Sequence, residues 1–179
     1  SVDHLPEIQR AAKGGDFRHP VLDSCSEEFV RLTQTGNDHF LFRSDLYLIA
    51  ARYEKNDPTM SVSEYRQLYY GYVFQPEYKP YKKSDYTRSI STLYYKEHLS
   101  RMECDSIIKY AEMSLKDDPF NLQQMNYLIY AYKTKKKHNL ARHWQNRLNN
   151  VLRAILSTGT GESKETAWHV INIGHEYAL

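Results

Sequence analysis

The sequence predicts an all-α fold of about eight helices that pack as antiparallel hairpins. Apolar side chains recur at helical spacing over most of the chain, and turn signals such as Asn-Asp-Pro and Asp-Pro-Phe-Asn separate the apolar stretches. Only 7 of the 179 residues are Gly and 6 are Pro, as expected of a mostly helical protein. No stretch shows the sustained alternation of a β-strand. We therefore expect one α-helical domain over 1–179.

The composition limits the class of protein and its partners. Hydrophobic residues make up 41% of the chain and charged residues 26%, which is typical of a globular protein. The net charge of +2 does not indicate a nucleic-acid or membrane partner, and no apolar stretch reaches the roughly 20 residues that cross a bilayer. Two cysteines, Cys25 and Cys104, are not a disulfide framework, so we expect two small buried or half-buried side chains, with one disulfide between them as the alternative. Because the chain starts with Ser1 rather than Met, we expect that it has been cut or trimmed.

The first half of the chain contains four predicted helices with recognisable ends. Their ranges are 4–13, 27–35, 40–53 and 62–74. The last of them starts with a capping box, since Glu64 follows Ser61 by three residues. Pro76 and Pro80 forbid a helix beyond it, so residues 75–84 are predicted to form an extended strap.

Helical spacing resumes after the strap and continues to the end of the chain. The predicted helices are 85–99, 104–116, 122–135, 139–156 and 163–177. Pro119 lies in the turn that ends the second of these, and the loop before the last is rich in Gly and Thr. Ser163 is expected to cap the last helix.

Residues 105–156 resemble a tetratricopeptide repeat. Small or apolar residues precede Pro119, and a packing Leu, a Tyr and a small residue follow at the spacing of the next repeat. These residues are Ile107, Ala111, Ser114, Leu128, Tyr132 and Ala141. The sequence departs from the repeat at Ile129, where Gly is usual, and at Gln145, where an aromatic residue is usual. The resemblance implies a tetratricopeptide-like helical hairpin array at about 86–157, and such scaffolds hold partners more often than they catalyse reactions.

Three longer blocks resemble a family of small bacterial proteins that is classed only as a domain of unknown function. The blocks are YRQLYYGYVFQPEYKPY from Tyr65 to Tyr81, DPFN from Asp118 to Asn121 and ILSTGTGESKETAWHVINIGHEY from Ile155 to Tyr177. The family-like region covers 41–179, whereas residues 1–40 diverge. Many members look exported, so the resemblance implies a periplasmic or cell-envelope location, with the cytoplasm as the alternative. It implies no activity.

Tyrosine is unusually frequent, with 16 residues against 6 Phe and 2 Trp. Each tyrosine offers a large ring and a hydroxyl that needs a partner, so a dense set forms either a polar core or an interaction surface. We predict that a groove beside the fourth helix and the strap binds a protein or peptide, and the alternative is a small ligand or a glycan. The candidate binding residues are Tyr69, Tyr70, Tyr72, Tyr78 and Tyr81. The structural alternative is that the strap only covers a pair of helices.

The glycine-rich loop before the last predicted helix is a candidate anion site. Gly159 and Gly161 precede a predicted helix N terminus, and Lys164 adds a positive charge. The loop lacks the P-loop pattern and no strand precedes it, so a plain turn between helices is the alternative.

The last predicted helix carries a polar stripe. It consists of Glu165, His169, Asn172 and Glu176 at helical spacing. A His with two carboxylates on one face could bind a metal, but a solvated face is the interpretation we favour, and we predict no metal and no cofactor. A hydrolase that uses His169 and Glu176 is a third functional alternative.

A basic cluster occupies the turn between the helices at 122–135 and 139–156. It consists of Lys133, Lys135, Lys136, Lys137, His138, Arg142, His143 and Arg147. Such residues complement a helix C terminus or face an acidic partner, and the sequence gives no dedicated aromatic set for stacking nucleic-acid bases. Together these observations predict a non-enzymatic interaction module with a protein or peptide partner.

Overall fold

A computed structural model describes residues 48–75, 77–81 and 83–177 of this chain, and these residues form helices and connecting segments without a strand. The helices are α1 (48–54), α2 (Val62–Gly71), α3 (Asp85–Ser89), α4 (Arg101–Asp117), α5 (Leu122–Thr134), α6 (His138–Leu156) and α7 (Ile173–Glu176). The predicted all-α class is confirmed for this part of the chain, with seven helices rather than about eight. The predicted helices 4–13 and 27–35 lie outside the described residues, as does Cys25.

The structure corrects two predicted helices. The predicted helix 85–99 stops at Ser89, and a short 3-10 helix at Ser91–Leu93 with turns replaces its second half. The predicted helix 163–177 is wrong except for the single turn α7, because turns, bends and irregular backbone occupy 157–172. The predicted helix 62–74 also changes type near its end, since Tyr72–Phe74 form a 3-10 helix after α2.

The chain divides into two compact units, each built from two separate stretches of sequence. The first unit comprises 1–75 with 152–171, and the second comprises 76–151 with 172–179. A single-domain organisation over 1–179 stays a prediction.

Polar side chains connect α1 to α2 in the first unit. The predicted capping box is confirmed: Ser61 Oγ accepts the Glu64 N–H at 3.2 Å, and the Glu64 carboxylate accepts the Ser61 N–H at 2.7 Å. Arg52 of α1 forms ion pairs with both Asp57 and Glu64. Hydrogen bonds from Thr59 and Arg52 lower the pKa of Asp57 to about 2. The turn is therefore fixed by charged hydrogen bonds at both of its ends.

Helices α4 and α5 form an antiparallel hairpin in the second unit. The Tyr132 hydroxyl near the end of α5 donates to Glu112 at 2.6 Å, and Lys135 just after α5 pairs with Asp105 near the start of α4. Later residues of one helix thus meet earlier residues of the other. The residues that form the buried cluster between the helices are Cys104, Ile107 and Ala131, with Leu93, Leu99, Ile108 and Tyr127 packed against them.

The six residues of the tetratricopeptide resemblance are all buried. They are Ile107, Ala111, Ser114, Leu128, Tyr132 and Ala141. Burial is what a packing role requires, while the tetratricopeptide arrangement itself stays a prediction. Cys104 is also fully buried, as predicted from its small side chain.

Helix α5 ends in a Schellman motif. The Lys137 N–H donates to the Tyr132 carbonyl at 2.8 Å, and the Lys136 N–H donates to the Lys133 carbonyl at 2.9 Å. Lys136 adopts a left-handed backbone with φ 58°, at the position where Gly is the usual residue. A basic side chain is therefore held at this turn despite an unfavourable backbone conformation.

Candidate functional site

Two of the predicted binding tyrosines, Tyr69 and Tyr70, hold a neighbouring segment of the first unit. The Tyr70 hydroxyl donates to the His169 carbonyl at 2.8 Å, and the Tyr69 hydroxyl accepts the Ile171 N–H at 3.1 Å. Tyr69 is fully buried, so it does not line an accessible surface. The two hydroxyls replace the backbone partners that this extended segment would otherwise have in a helix.

Further side chains complete the hydrogen bonds of the same segment. Thr158 Oγ1 accepts the His169 N–H at 3.0 Å, and the Trp168 indole N–H donates to the Gly159 carbonyl at 2.9 Å. Ser163 does accept the Thr166 N–H at 3.3 Å, as a helix cap would, but no helix follows it. Because distant side chains satisfy the backbone of this segment, helical spacing alone gave the wrong prediction for 163–177.

The long helix that the predicted anion site was expected to precede is absent from residues 163–172. An anion-binding role for Gly159, Gly161 and Lys164 therefore stays a prediction without the helix N terminus that suggested it. The Gly161 N–H donates to the Thr166 carbonyl at 2.8 Å, and a Cβ on Gly161 would lie 2.9 Å from the Trp168 ring. Gly159 thus allows the loop to pack closely against the backbone of Thr166 and Ala167, and Gly161 allows it to pack against the Trp168 ring.

The polar stripe of the last predicted helix is also absent as a helical face. Glu165 and His169 lie in turns and extended backbone, while Glu176 is in α7 and Asn172 caps it. Over the described ranges, no group of three or more His, Cys, Asp and Glu side chains is placed to hold a metal ion. The hydrolase alternative therefore loses the shared helix face on which it was based.

The remaining candidate tyrosines have different environments. Tyr72 and Tyr78 are half-buried and Tyr81 is exposed. Tyr72 belongs to the first unit, whereas Tyr78 and Tyr81 belong to the second. A binding role for these three residues stays a prediction.

The basic cluster divides into exposed and buried members. The side chains of Lys133, Lys136 and Lys137 are exposed, as are His138 and Arg142. Arg147 is buried, and its guanidinium lies 5.0 Å from the centre of the Trp144 ring. Arg147 therefore packs within the second unit as a cation on an aromatic ring and does not extend the exposed basic surface.

The second unit carries an aromatic surface that the sequence analysis did not identify. We call Tyr94, Tyr95, Tyr127 and Tyr130 the Tyr patch. The rings of Tyr94 and Tyr127 stack in parallel with centres 3.7 Å apart, and Tyr94 shares hydrogen bonds with the buried Gln124. The Tyr130 hydroxyl donates to the Glu97 carbonyl at 3.3 Å, which places α5 against the 94–97 segment.

The Tyr patch contains two half-buried rings, Tyr94 and Tyr127, and two exposed rings, Tyr95 and Tyr130. Burial raises the pKa of Tyr94 to about 12, and it also raises the pKa of Tyr127, to which the nearby Tyr95 contributes. Tyr95 is 91% exposed and Tyr130 is 43% exposed. The sequence did contain a clue, because Tyr94 and Tyr95 are adjacent and Tyr127 and Tyr130 are three residues apart on a predicted helix.

Two of the large pKa shifts among the described residues have structural causes. Hydrogen bonds from Lys96 and Ser100 lower the pKa of Glu103 to about 2, where its carboxylate completes the capping box of α4. Burial lowers the pKa of His175 to about 4. These shifts belong to a helix cap and a buried ring, so they do not mark a shared reactive cleft.

Comparison with known proteins identifies the family of the chain. The family described as Domain of unknown function (DUF4919) matches residues 42–179, and the chain belongs to it. No curated protein and no solved structure matches the chain. None of the helices in the described ranges has the length and hydropathy needed to cross a membrane.

Proposed function

We propose that this member of the DUF4919 family is a non-enzymatic protein-interaction module that binds its partner through the Tyr patch. The observation that carries the proposal is the exposure of Tyr95 beside a stacked and half-buried tyrosine pair. Tyrosine is enriched at the centres of protein interfaces, because a rigid ring buries much area at low entropic cost. A ring left 91% exposed next to fixed neighbours suits that role.

The hairpin of α4 and α5 supplies the scaffold in this proposal. Its inner positions are apolar, and its charged groups stabilise the hairpin itself, as Lys135 does with Asp105 and Tyr132 with Glu112. We further propose that the hairpin acts as a tetratricopeptide-like unit, in which helix pairs present outer faces to a partner. The burial of the six repeat-like residues supports this part of the proposal.

A glycan-binding role is the second candidate. The Tyr patch borders amide groups, since Gln124 bonds to Tyr94 and Gln123 bonds to Tyr127. An exposed ring with neighbouring amides suits a ligand that has both an apolar face and hydroxyls.

The cell envelope or the periplasm is the proposed location, with the cytoplasm as the alternative. The support is the resemblance to exported bacterial proteins. Fractionation of cells that make the protein naturally tests it: recovery with the cytoplasmic marker enzymes would contradict the proposed location.

Affinity capture with matched aromatic variants tests the proposed function. The full chain, a Tyr95→Ala/Tyr130→Ala variant and a Phe74→Ala/Tyr177→Ala control are compared in extracts of the native cells. All four aromatic residues are exposed, and each variant removes two of them. We expect one protein to be captured by the wild type and the control and lost with the first variant. Circular dichroism and thermal melting check that all three fold.

Two results would contradict the proposed function. Equal capture by both variants would show that the Tyr patch does not bind the captured protein. A glycan array that labels the wild type and not the Tyr95→Ala/Tyr130→Ala variant, in the absence of any captured protein, would favour the glycan-binding role.

A further inference from the structure

The Tyr patch adjoins basic residues at the C-terminal end of α5. Tyr127, Tyr130 and Lys133 recur every three residues along the helix, so they follow one another on neighbouring turns. We call Arg101, Lys133, Lys135, Lys136 and Lys137 the basic tip. All of them belong to the second unit, as does the Tyr patch. The aromatic and the basic surface are therefore parts of one hairpin.

The basic tip is organised around Lys135. The Lys135 side chain is only 7% exposed and pairs with Asp105. Burial lowers the pKa of Lys135, and the nearby charges of Lys137 and Arg101 lower it further. The three cations are thus close enough to repel one another, even though Asp105 neutralises part of their charge.

Acidic side chains near the tip are already engaged. Glu103 pairs with Lys96 and accepts the Ser100 N–H, and Asp105 pairs with Lys135. Within the described ranges, no ion pair involves Arg101, Lys133, Lys136 or Lys137. The tip therefore presents an excess of positive charge to solvent.

The electrostatics of the helices explain only part of this cluster. Cations at the end of α5 complement the negative end of its dipole, which accounts for Lys133 and its neighbours. Arg101 is the first residue of α4, where the helix dipole disfavours a positive charge. Lys136 occupies a left-handed position with φ 58° where Gly would be less strained. The helix dipoles therefore do not account for Arg101, and the strained backbone at Lys136 has no electrostatic cause.

We propose that the partner of the Tyr patch presents an acidic segment whose carboxylates lie at the basic tip and whose apolar side chains lie on the patch. This inference rests on the proposed function and adds the chemistry of the partner. Charge complementarity argues for the acidic groups, and the adjoining aromatic surface argues for apolar side chains between them.

The same surface fits a nucleic acid poorly. Base stacking needs open ring faces, but Tyr94 and Tyr127 stack on each other. The carboxylate of Asp105 also lies within the tip, where it would repel a phosphate backbone. An acidic protein segment can carry an uncharged residue opposite Asp105, whereas a phosphate backbone is charged at every nucleotide.

Charge reversal tests the inference on the full chain. The probe is a fluorescein-labelled peptide of alternating Glu and Leu, and binding is followed by fluorescence anisotropy. Lys133→Glu/Lys137→Glu is compared with a control, Lys79→Glu/Lys83→Glu, which makes the same change of charge at exposed loop positions of the same unit. We expect the first variant to weaken binding by about tenfold or more and the control by less than about twofold. Higher salt should weaken binding by the wild type.

Three results would overturn the inference. The first is failure of the wild type to bind the peptide, and the second is equal weakening of peptide binding in both variants. The third is displacement of the labelled peptide by a single-stranded oligonucleotide at a lower concentration than by unlabelled peptide. A Lys133→Gln/Lys137→Gln variant replaces the charge-reversed one if the latter melts at a lower temperature. The inference and the proposed function fail separately. If capture of a partner depends on Tyr95 and Tyr130 but not on Lys133 and Lys137, the proposed function stands and the inference of an acidic segment is wrong.

Discussion

Tyr69 and Tyr70 are adjacent in the chain but differ in burial and in the direction of their hydrogen bonds. Tyr69 is fully buried and accepts a backbone N–H, whereas the half-buried Tyr70 donates to a backbone carbonyl. Both act on the segment at 169–171, which has no helical hydrogen bonds of its own. Two tyrosines of the tyrosine-rich block therefore hold a non-helical segment in place through their hydroxyls.

Tyr69→Phe tests this role. The change keeps the ring but leaves the buried Ile171 N–H without the hydroxyl that accepts it, which should destabilise the protein by about 1–3 kcal/mol. Tyr81→Phe is the control, since Tyr81 is exposed and its change should stay within about 0.5 kcal/mol. Urea unfolding measures both, and equal stabilities would contradict the role of the hydroxyl.

His175 should make stability depend on pH. Burial lowers its folded pKa to about 4, below the ordinary 6.5, so the unfolded chain binds the proton more readily. The stability that neutral His175 contributes is fully present above the unfolded pKa and is lost as the pH falls through 6.5 towards 4. Between about pH 7 and about pH 5 the loss should be about 2 kcal/mol.

A His175→Gln variant is the comparison for this pH dependence. Urea midpoints at both pH values should change much less in the variant than in the wild type, whatever its absolute stability. An equally steep change in both proteins would show that other groups cause it.

At the scale of elements, the sequence predicted the hairpin well. Helices α4, α5 and α6 lie within three residues of the predicted ranges 104–116, 122–135 and 139–156. Their apolar spacing coincides with their burial, and turn residues separate them. The helix predicted at 163–177 failed because side chains from other elements satisfy its backbone. Such contacts leave no periodic mark in a sequence.

The start of α4 shows a cap that could have been read from the sequence. Ser100 and Glu103 form a capping box, in which Ser100 Oγ accepts the Glu103 N–H at 3.3 Å. The Ser-x-x-Glu spacing is present in the sequence, although apolar spacing predicts a helix that begins at Cys104. Local patterns thus mark the ends of helices better than apolar spacing alone.

Ser100→Ala should destabilise the protein by about 1 kcal/mol, because it removes the hydroxyl that caps α4. Ser106→Ala in the same helix is the control. Ser106 donates to the Met102 carbonyl within the helix, and Ala is the better helix former there, so little or no loss is expected. Thermal unfolding compares the two variants, and an equal loss of stability in both would argue against the cap.

In the whole molecule, the contacts of Tyr69 and Tyr70 and the Tyr patch belong to different units. The Tyr69 and Tyr70 contacts belong to the first unit, while the Tyr patch and the basic tip belong to the second. The sequence predicted an interaction surface beside the fourth helix and the strap, whereas the surface proposed from the structure is the Tyr patch. Composition does not tell which rings become buried, as Tyr69 does. The predicted groove residues and the Tyr patch share no member.

Site-specific photocrosslinking tests the central claim most directly. A photoreactive phenylalanine analogue replaces Tyr95, which is 91% exposed on the Tyr patch, or Tyr177, which is 83% exposed and outside it. Irradiation of native cells should give one discrete protein adduct from position 95 and none from position 177. The same set of adducts from both positions, or none from position 95, would contradict a protein-interaction module that acts through the Tyr patch.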